Sequence, residues 1–352
     1  MSSDRLDRLA PARHEASGIV RPAGTATTGP PHVRDAIDLP GVMGHVLLAL
    51  VPCLLIGLYN TGVQAGNAIA QTGAAALPSW RASQPAIVLG LACFLPVYGV
   101  TLLVGTLWQR VFAAARKRSS AAGFSVTALL FALSLPPTIP LWQVALGISF
   151  GLVIGREIFG GTGRNPFNPA LTGLAFLYFA YPGSLATTGG ADGLREAGIG
   201  WWQTAVGLEA GAPGETSALA CLAGAGVLLY SRIISWRILA GGIAGLVATS
   251  TLFGLGAEPS ASLPWYWHLT LGGFAFGLVF FATDPVTSAA TDVGRWLYGA
   301  FIGIATVVIR VANPAHTEGV MLAILLANIV APLIDHAVVR ANVRRRQARG
   351  HG

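Results

Sequence analysis

The chain reads as long apolar runs separated by short polar interruptions. "HVLLALVPCLLIGLY" (45–59) and "AIVLGLACFLPVYGVTLLVGTLW" (86–108) contain no Asp, Glu, Lys or Arg. Such runs approach or exceed the ~20 apolar residues that cross a bilayer core as a helix. Followed along the chain, the pattern predicts an all-α integral membrane protein with about ten segments. They fall at 43–60, 86–107, 124–136, 141–155, 170–181, 216–231, 238–256, 268–282, 295–311 and 319–339. The third and fifth are too short to span as regular helices and predict broken or re-entrant pieces.

Composition agrees with this pattern. The 352 residues are 53% hydrophobic and only 11% charged, with a mean hydropathy of +0.62. A soluble chain of this length needs far more charge to cover its surface. The first forty residues are polar and rich in Ser, Thr, Pro and Gly, which predicts a disordered arm rather than a signal peptide. The net charge of +7 does not point to nucleic acid. The basic residues sit at the ends of apolar runs and in the tail "RANVRRRQARG" (340–350), as orientation signals do. Cys53, Cys93 and Cys221 lie inside apolar runs without ligand spacing and read as small apolar residues.

Charge bias in the loops sets an orientation. Arg110, Arg116, Lys117 and Arg118 follow the second segment with no acid among them, and the tail carries five arginines. Both places are expected on the cytoplasmic side. The loop 182–215 holds Asp192, Glu196, Glu209 and Glu215 against one Arg and is expected outside. "PWYWH" (264–268) reads as an aromatic belt at the outer interface. Ten segments with both termini inside satisfy all of these. A loose internal repeat pairs "PPTIPLWQVALGISFGLVIGR" (136–156) and its "NPA" at 168–170 with "DPVTSAATDVGRWLYGAFIGIATVVIR" (284–310) and its "NPA" at 313–315. Two halves of five segments must be inverted, which places a binding site near the midplane. The expected organisation is an arm at 1–40, a first repeat at 41–182, an outer loop at 183–215, a second repeat at 216–340 and a basic tail at 341–352.

One interruption stands apart. "GREIFGGTGRNPFNPALTG" (155–173) packs five glycines, two prolines, two asparagines, two arginines and a glutamate between two apolar runs. It lacks the Gly-Lys-Ser/Thr of a phosphate loop and the third glycine of a dinucleotide turn. Asn165 and Asn168 precede Pro166 and Pro169, so the bend is built in and the two amides can share one side of it. An amide offers donor and acceptor together, which suits the imide edge of a flavin or a quinone carbonyl. The other reading is a glycine-rich turn with Arg156 and Arg164 as topology anchors. Glu157 beside Arg156 reads as a paired loop charge.

The stretch at 123–182, together with "PWYWHLTLGGFAFGLVFFATDPV" (264–286), "GAFIGIATVVIRVANPAHTEGVMLAILLANIVAPLIDHAVVRANVRRR" (299–346) and "HVRDAIDLPGVM" (32–43), resembles the B subunits of the Na+-translocating NADH:quinone oxidoreductases. The D subunit of the RNF electron-transport complexes is a more distant likeness. The resemblance implies a bacterial inner-membrane protein of about ten helices in two inverted repeats, similar in fold to urea transporters. It implies electron transfer through flavins toward quinone, coupled to Na+ movement, in company with the other subunits of such a complex. Thr127, Asn165 and Asn168 match positions implied to hold a noncovalent riboflavin or FMN. Asp284 and Asp335 match acids implied in cation coupling, and Gln109 stands where such proteins place a further acid. The family's covalent FMN is attached at a Ser/Thr-Gly-Ala-Thr sequence that this chain lacks. Thr187 and Thr188 occupy the expected loop, but "ATTGG" is not that motif, so covalent FMN is not expected. The competing readings are a small-solute or cation transporter on the same fold, and a redox-inactive accessory subunit.

Overall fold

The computed structural model describes residues 39–71, 85–117, 123–185, 198, 200–208, 211–256, 263–312 and 319–350, and among these every regular element is helical. In chain order the main helices are α1 (Leu39–Gln71), α2 (Ala86–Arg116), α3 (Phe124–Leu133), α4 (Leu141–Leu152), α5 (Pro169–Ala180), α6 (Ala218–Tyr230), α7 (Trp236–Gly256), α8 (Trp265–Thr270), α9 (Asp292–Ala312) and α10 (Gly319–Gly350). Among the described residues, α1, α2, α7, α9 and α10 are long and apolar enough to cross a membrane. Their outward faces carry exposed Leu103, Leu107, Leu252, Leu255 and Leu333, the surface that lipid rather than water covers. Of the arm expected at 1–40, residues 1–38 lie outside the described residues, and Leu39 and Pro40 already belong to α1. α10 continues through the basic stretch from Arg340 to Gly350.

The remaining elements are shorter and stop where the sequence forces them to. α3 ends at Ser134, two residues before Pro136 and Pro137, and its last turn folds back through Ser134 Oγ to the Leu130 carbonyl at 3.0 Å. The carbonyl of Leu133 then accepts the Gly214 N–H at 2.8 Å, from a segment 81 residues further along. A free carbonyl at membrane depth costs several kcal/mol, so a break is tolerated only where protein completes it. The predicted segment 268–282 is split. α8 closes at Leu271, Gly272 and Gly273 take positive φ of 56° and 65°, and the chain resumes as Phe274–Phe276 running into a π turn at Gly277–Phe281. Arg310 of α9, only 8% exposed, satisfies this second break by donating to the carbonyls of His268 (2.8 Å), Leu271 (2.6 Å) and Gly272 (3.2 Å).

Small residues let the helices approach closely. A side chain at Gly151 would meet the Pro169 carbonyl 2.3 Å away across α4 and α5, and one at Gly303 would meet the Gly242 carbonyl at 2.1 Å across α7 and α9. Cys53 of α1 and Cys221 of α6 are buried with their sulfurs 3.8 Å apart, free thiols that fill the seam between those helices. Of the "PWYWH" residues, Trp265 and Tyr266 face outward while Trp267 and His268 turn into the protein.

Candidate functional site

After α4 the chain makes a π turn at Val153–Glu157 and then runs through Gly160, Gly161 and Gly163 at positive φ of 110°, 100° and 85°. These conformations are strained for any residue with a Cβ, which is why the bend is glycine-rich. It leaves the loop through Asn168, whose side chain accepts the Ala170 N–H at 3.0 Å and caps α5, with Pro169 preset for the first helical position. Asn165 braces the same loop, accepting from the Gly163 N–H at 3.2 Å and donating to the Phe167 carbonyl at 2.8 Å.

This loop forms one wall of a partly open cavity enclosing about 750 Å³ of empty space, part of it continuous with the exterior. The start of α3 supplies Thr127, the chain after the second π turn supplies Thr283 and Asp284, and α1 contributes Met43. Thr127, Asn165, Asn168 and Asp284, which lie as much as 157 positions apart, thus line a single space. Asn168 also donates through Nδ2 to Asp284 Oδ2 at 3.0 Å, while Asp284 Oδ1 accepts the Val286 N–H at 3.0 Å. Each asparagine amide has one N–H and one lone pair left after these bonds. Thr127 stands half-buried at the wall, and the Thr162 hydroxyl is buried in it with no hydrogen-bond partner among the described residues. A buried donor left unmade is costly, and this wall sets the orphaned Thr162 hydroxyl beside two asparagine amides with bonds to spare, a lining suited to a polar ligand.

Of the two arginines read as topology anchors, Arg156 belongs to this wall and Arg164 does not line it. Arg156 lines the cavity with its side chain only 4% exposed. Its Nε and Nη2 reach Glu157 Oε1 at 2.9 and 2.8 Å, and the other Glu157 oxygen meets Arg116 Nη1 at 2.6 Å. Arg116 also donates to the Glu157 backbone carbonyl. Glu157 is therefore a paired loop charge, as expected, but it is shared by two arginines and leaves one positive charge over. Thr162 gave no signal beyond its place inside "GGTG". The other predicted positions lie apart. Asp335 on α10 accepts from the Ala290 N–H (2.7 Å), the Thr291 N–H (2.9 Å) and the Thr291 hydroxyl (2.5 Å), tying α10 to the entry of α9. Gln109 is buried in α2. Thr187, Thr188 and the "NPA" at 313–315 lie outside the described residues.

A second, much tighter hollow lies behind Phe281, with Glu215, Gly272 and Met321 in its wall. Phe280 faces the larger cavity and Phe281 the smaller, so adjacent residues of one π turn stand between them.

Across its length the chain is similar to known membrane proteins. It is 48% identical over 370 residues to the B subunit of a Na(+)-translocating NADH-quinone reductase from Azotobacter vinelandii, covering 94% of this chain and 91% of that one. The B subunit from Pseudomonas aeruginosa strain PAO1 is 48% identical with the same coverage, and that of Chromohalobacter salexigens is 47% identical over 98% of this chain and 95% of its own. A family model described as the NQR2, RnfD, RnfE family matches residues 26–344, which spans both breaks and every wall of the cavity. This multi-pass inner-membrane protein belongs to the NQR2, RnfD, RnfE family.

Proposed function

We propose that the chain is the membrane subunit of a Na+-translocating NADH:quinone oxidoreductase-type complex and carries a noncovalent flavin in the larger cavity. The observation that supports this is the convergence of Thr127, Asn165 and Asn168 on one space with unused hydrogen-bonding capacity. A flavin supplies one- and two-electron chemistry when bound. The chain's own residues bind and orient it: the asparagine amides and the Thr127 and Thr162 hydroxyls match its carbonyl and ring-nitrogen edge. Arg156 sets a positive field on one side and the apolar walls exclude water. The chain acts with partner subunits, since no described element forms a soluble nucleotide domain, and its electrons pass toward quinone.

Topology completes the reading. Ten spans in two inverted repeats, 41–182 and 216–340, with both termini cytoplasmic and a urea-transporter-like arrangement, put the cavity toward the cytoplasmic face. Asp284, inside the cavity and without an ion pair to the described residues, is the cation-coupling acid. Asp335, its oxygens already taken by three donors, acts on cation movement by holding the entry of α9. Covalent FMN is not part of this reading, because the chain lacks the attachment motif.

Purified full-length protein, precipitated with acid, is expected to release flavin to the supernatant. The variant Asn165→Leu with Asn168→Leu is expected to insert normally and to lose that flavin. Flavin retained at the wild-type level by an inserted double variant refutes the site. Flavin held in the pellet refutes the noncovalent assignment. Solute flux through liposomes carrying this chain alone would replace the redox reading with the transporter.

A further inference from the structure

The Asn168–Asp284 hydrogen bond joins a helix cap in the first half of the chain to an acid in the second, 116 positions away. Both side chains line the cavity. Asp284 has two hydrogen bonds, one from its own turn through Val286 and one from Asn168, and no Lys or Arg among the described residues pairs with it. A carboxylate in this position stays charged only while water, a donor or a cation compensates it. With the cavity solvated, water and the Asn168 amide do so. When a ligand fills the cavity, that water leaves, and the Asn168 N–H is the side-chain donor that remains. The shortfall is then met by a proton or by a monovalent cation on the carboxylate, and a comparison of Na+ with choline at one pH separates the two.

We propose that Asn168 is a positioning residue that sets how strongly Asp284 requires a cation, so that filling the cavity and loading a cation at Asp284 favour each other. This rests on the flavin reading of the cavity and adds to it a direct link between the two sites. The link is structural as well as electrostatic. Asn168 Oδ1 is committed to the Ala170 N–H, so the cap fixes the amide plane and aims Nδ2 at Asp284. The amide cannot turn away from the acid without uncapping α5.

The experiment measures riboflavin affinity of the full chain in detergent, in Na+ and in choline at equal ionic strength. Coupling between linked sites is commonly about 5–150-fold in affinity, and wild type is expected to bind riboflavin more tightly in Na+ by a factor in that range. Asp284→Asn removes the charge and is expected to abolish the difference. Asn168→Ser keeps a capping oxygen but is too short to reach Asp284. It is expected to weaken riboflavin overall and to enlarge the Na+ effect at least about threefold, since coupling free energies add and the affinity factors therefore multiply. A residue that served only as a cap would leave the Na+ effect unchanged. Because that variant weakens the ligand, 22Na+ binding with and without saturating riboflavin is measured in parallel. Linkage requires the same factor in both directions. Riboflavin bound without any Na+ effect, an effect that survives in Asp284→Asn, or an unchanged effect in Asn168→Ser overturns the proposal while leaving the flavin reading in place. Wild type that binds no riboflavin in either salt overturns the flavin reading itself, and the link with it.

Discussion

Glu157 gives the sharpest test of how the cavity wall is held. Replacing it with Gln leaves the Arg156 guanidinium, 4% exposed, without the carboxylate that two of its nitrogens contact at 2.9 and 2.8 Å. Breaking a buried pair by removing one partner costs about 3–5 kcal/mol, because the surviving charge is stranded. The Arg116 contact adds little, since that side chain is 31% exposed and water replaces much of the interaction. A glutamine carbonyl keeps one neutral hydrogen bond to Arg156, which places the expected loss near the lower end, about 3 kcal/mol. Arg156→Gln should cost less, because Glu157 then still has Arg116. The double variant Arg156→Gln, Glu157→Gln strands no buried charge and should be more stable than Glu157→Gln alone. Reversible unfolding by SDS in mixed micelles, followed by circular dichroism, reads these differences. A Glu157→Gln protein within about 1 kcal/mol of wild type, or losses that simply add in the double variant, would show that the pair is not the clamp described.

Two other substitutions probe the breaks. Arg310→Leu leaves the carbonyls of His268, Leu271 and Gly272 without their donor, and at about 1–3 kcal/mol for each orphaned group the expected outcome is little folded protein; a normal yield of monodisperse protein by gel filtration contradicts it. Asp335→Ala frees the N–H groups of Ala290 and Thr291 and should lower stability by about 1–2 kcal/mol, as loss of a helix cap does, whereas Asp335→Asn, which keeps an acceptor, should cost less. Thermal melts of the two variants in one detergent decide it, and equal melting points would place Asp335 outside the cap.

Much of this architecture was legible because membrane depth enforces simple rules. Long uncharged runs such as 86–108 have no stable state other than a buried helix, and Pro136 and Pro137 after a ten-residue run announce a break. The asparagine-proline pairs carried the bend, and the structure places both amides in one cavity wall. What the residues could not show is where each polar group spends its bonds. Asn165 reads as a ligand contact, yet one N–H and one lone pair already brace its own loop. Arg156 and Arg310 look alike in sequence, each an arginine closing a glycine-spaced apolar run. One is paired with the next residue, which it shares with Arg116, and the other is spent on three carbonyls. That difference depends on which backbone groups lie opposite after folding, and no local pattern records it. The split inside 268–282 was missed for a related reason. "LTLGGFAFG" is hydrophobic throughout, and only the two glycines at positive φ, held by an arginine 38 residues away, turn a span into two pieces.

The breaks share a further property that bears on function. The end of α3 is completed by Gly214, the end of α8 by Arg310, and the cap of α5 is anchored to Asp284. One of these three bonds, from Asn168 to Asp284, joins the two expected repeats, Gly214 belongs to the loop between them, and Arg310 serves a break in its own half. An interrupted helix in lipid must find a partner for its exposed backbone, and here each partner comes from a distant part of the chain. The cavity lies where those interruptions meet. Its polar groups are aimed by their own loops and caps, and the Asn168–Asp284 bond ties those two loops together. A shift of one loop against the other would stretch that bond. That makes the larger cavity sensitive to the relative position of the two loops, which is the geometry a coupled site requires.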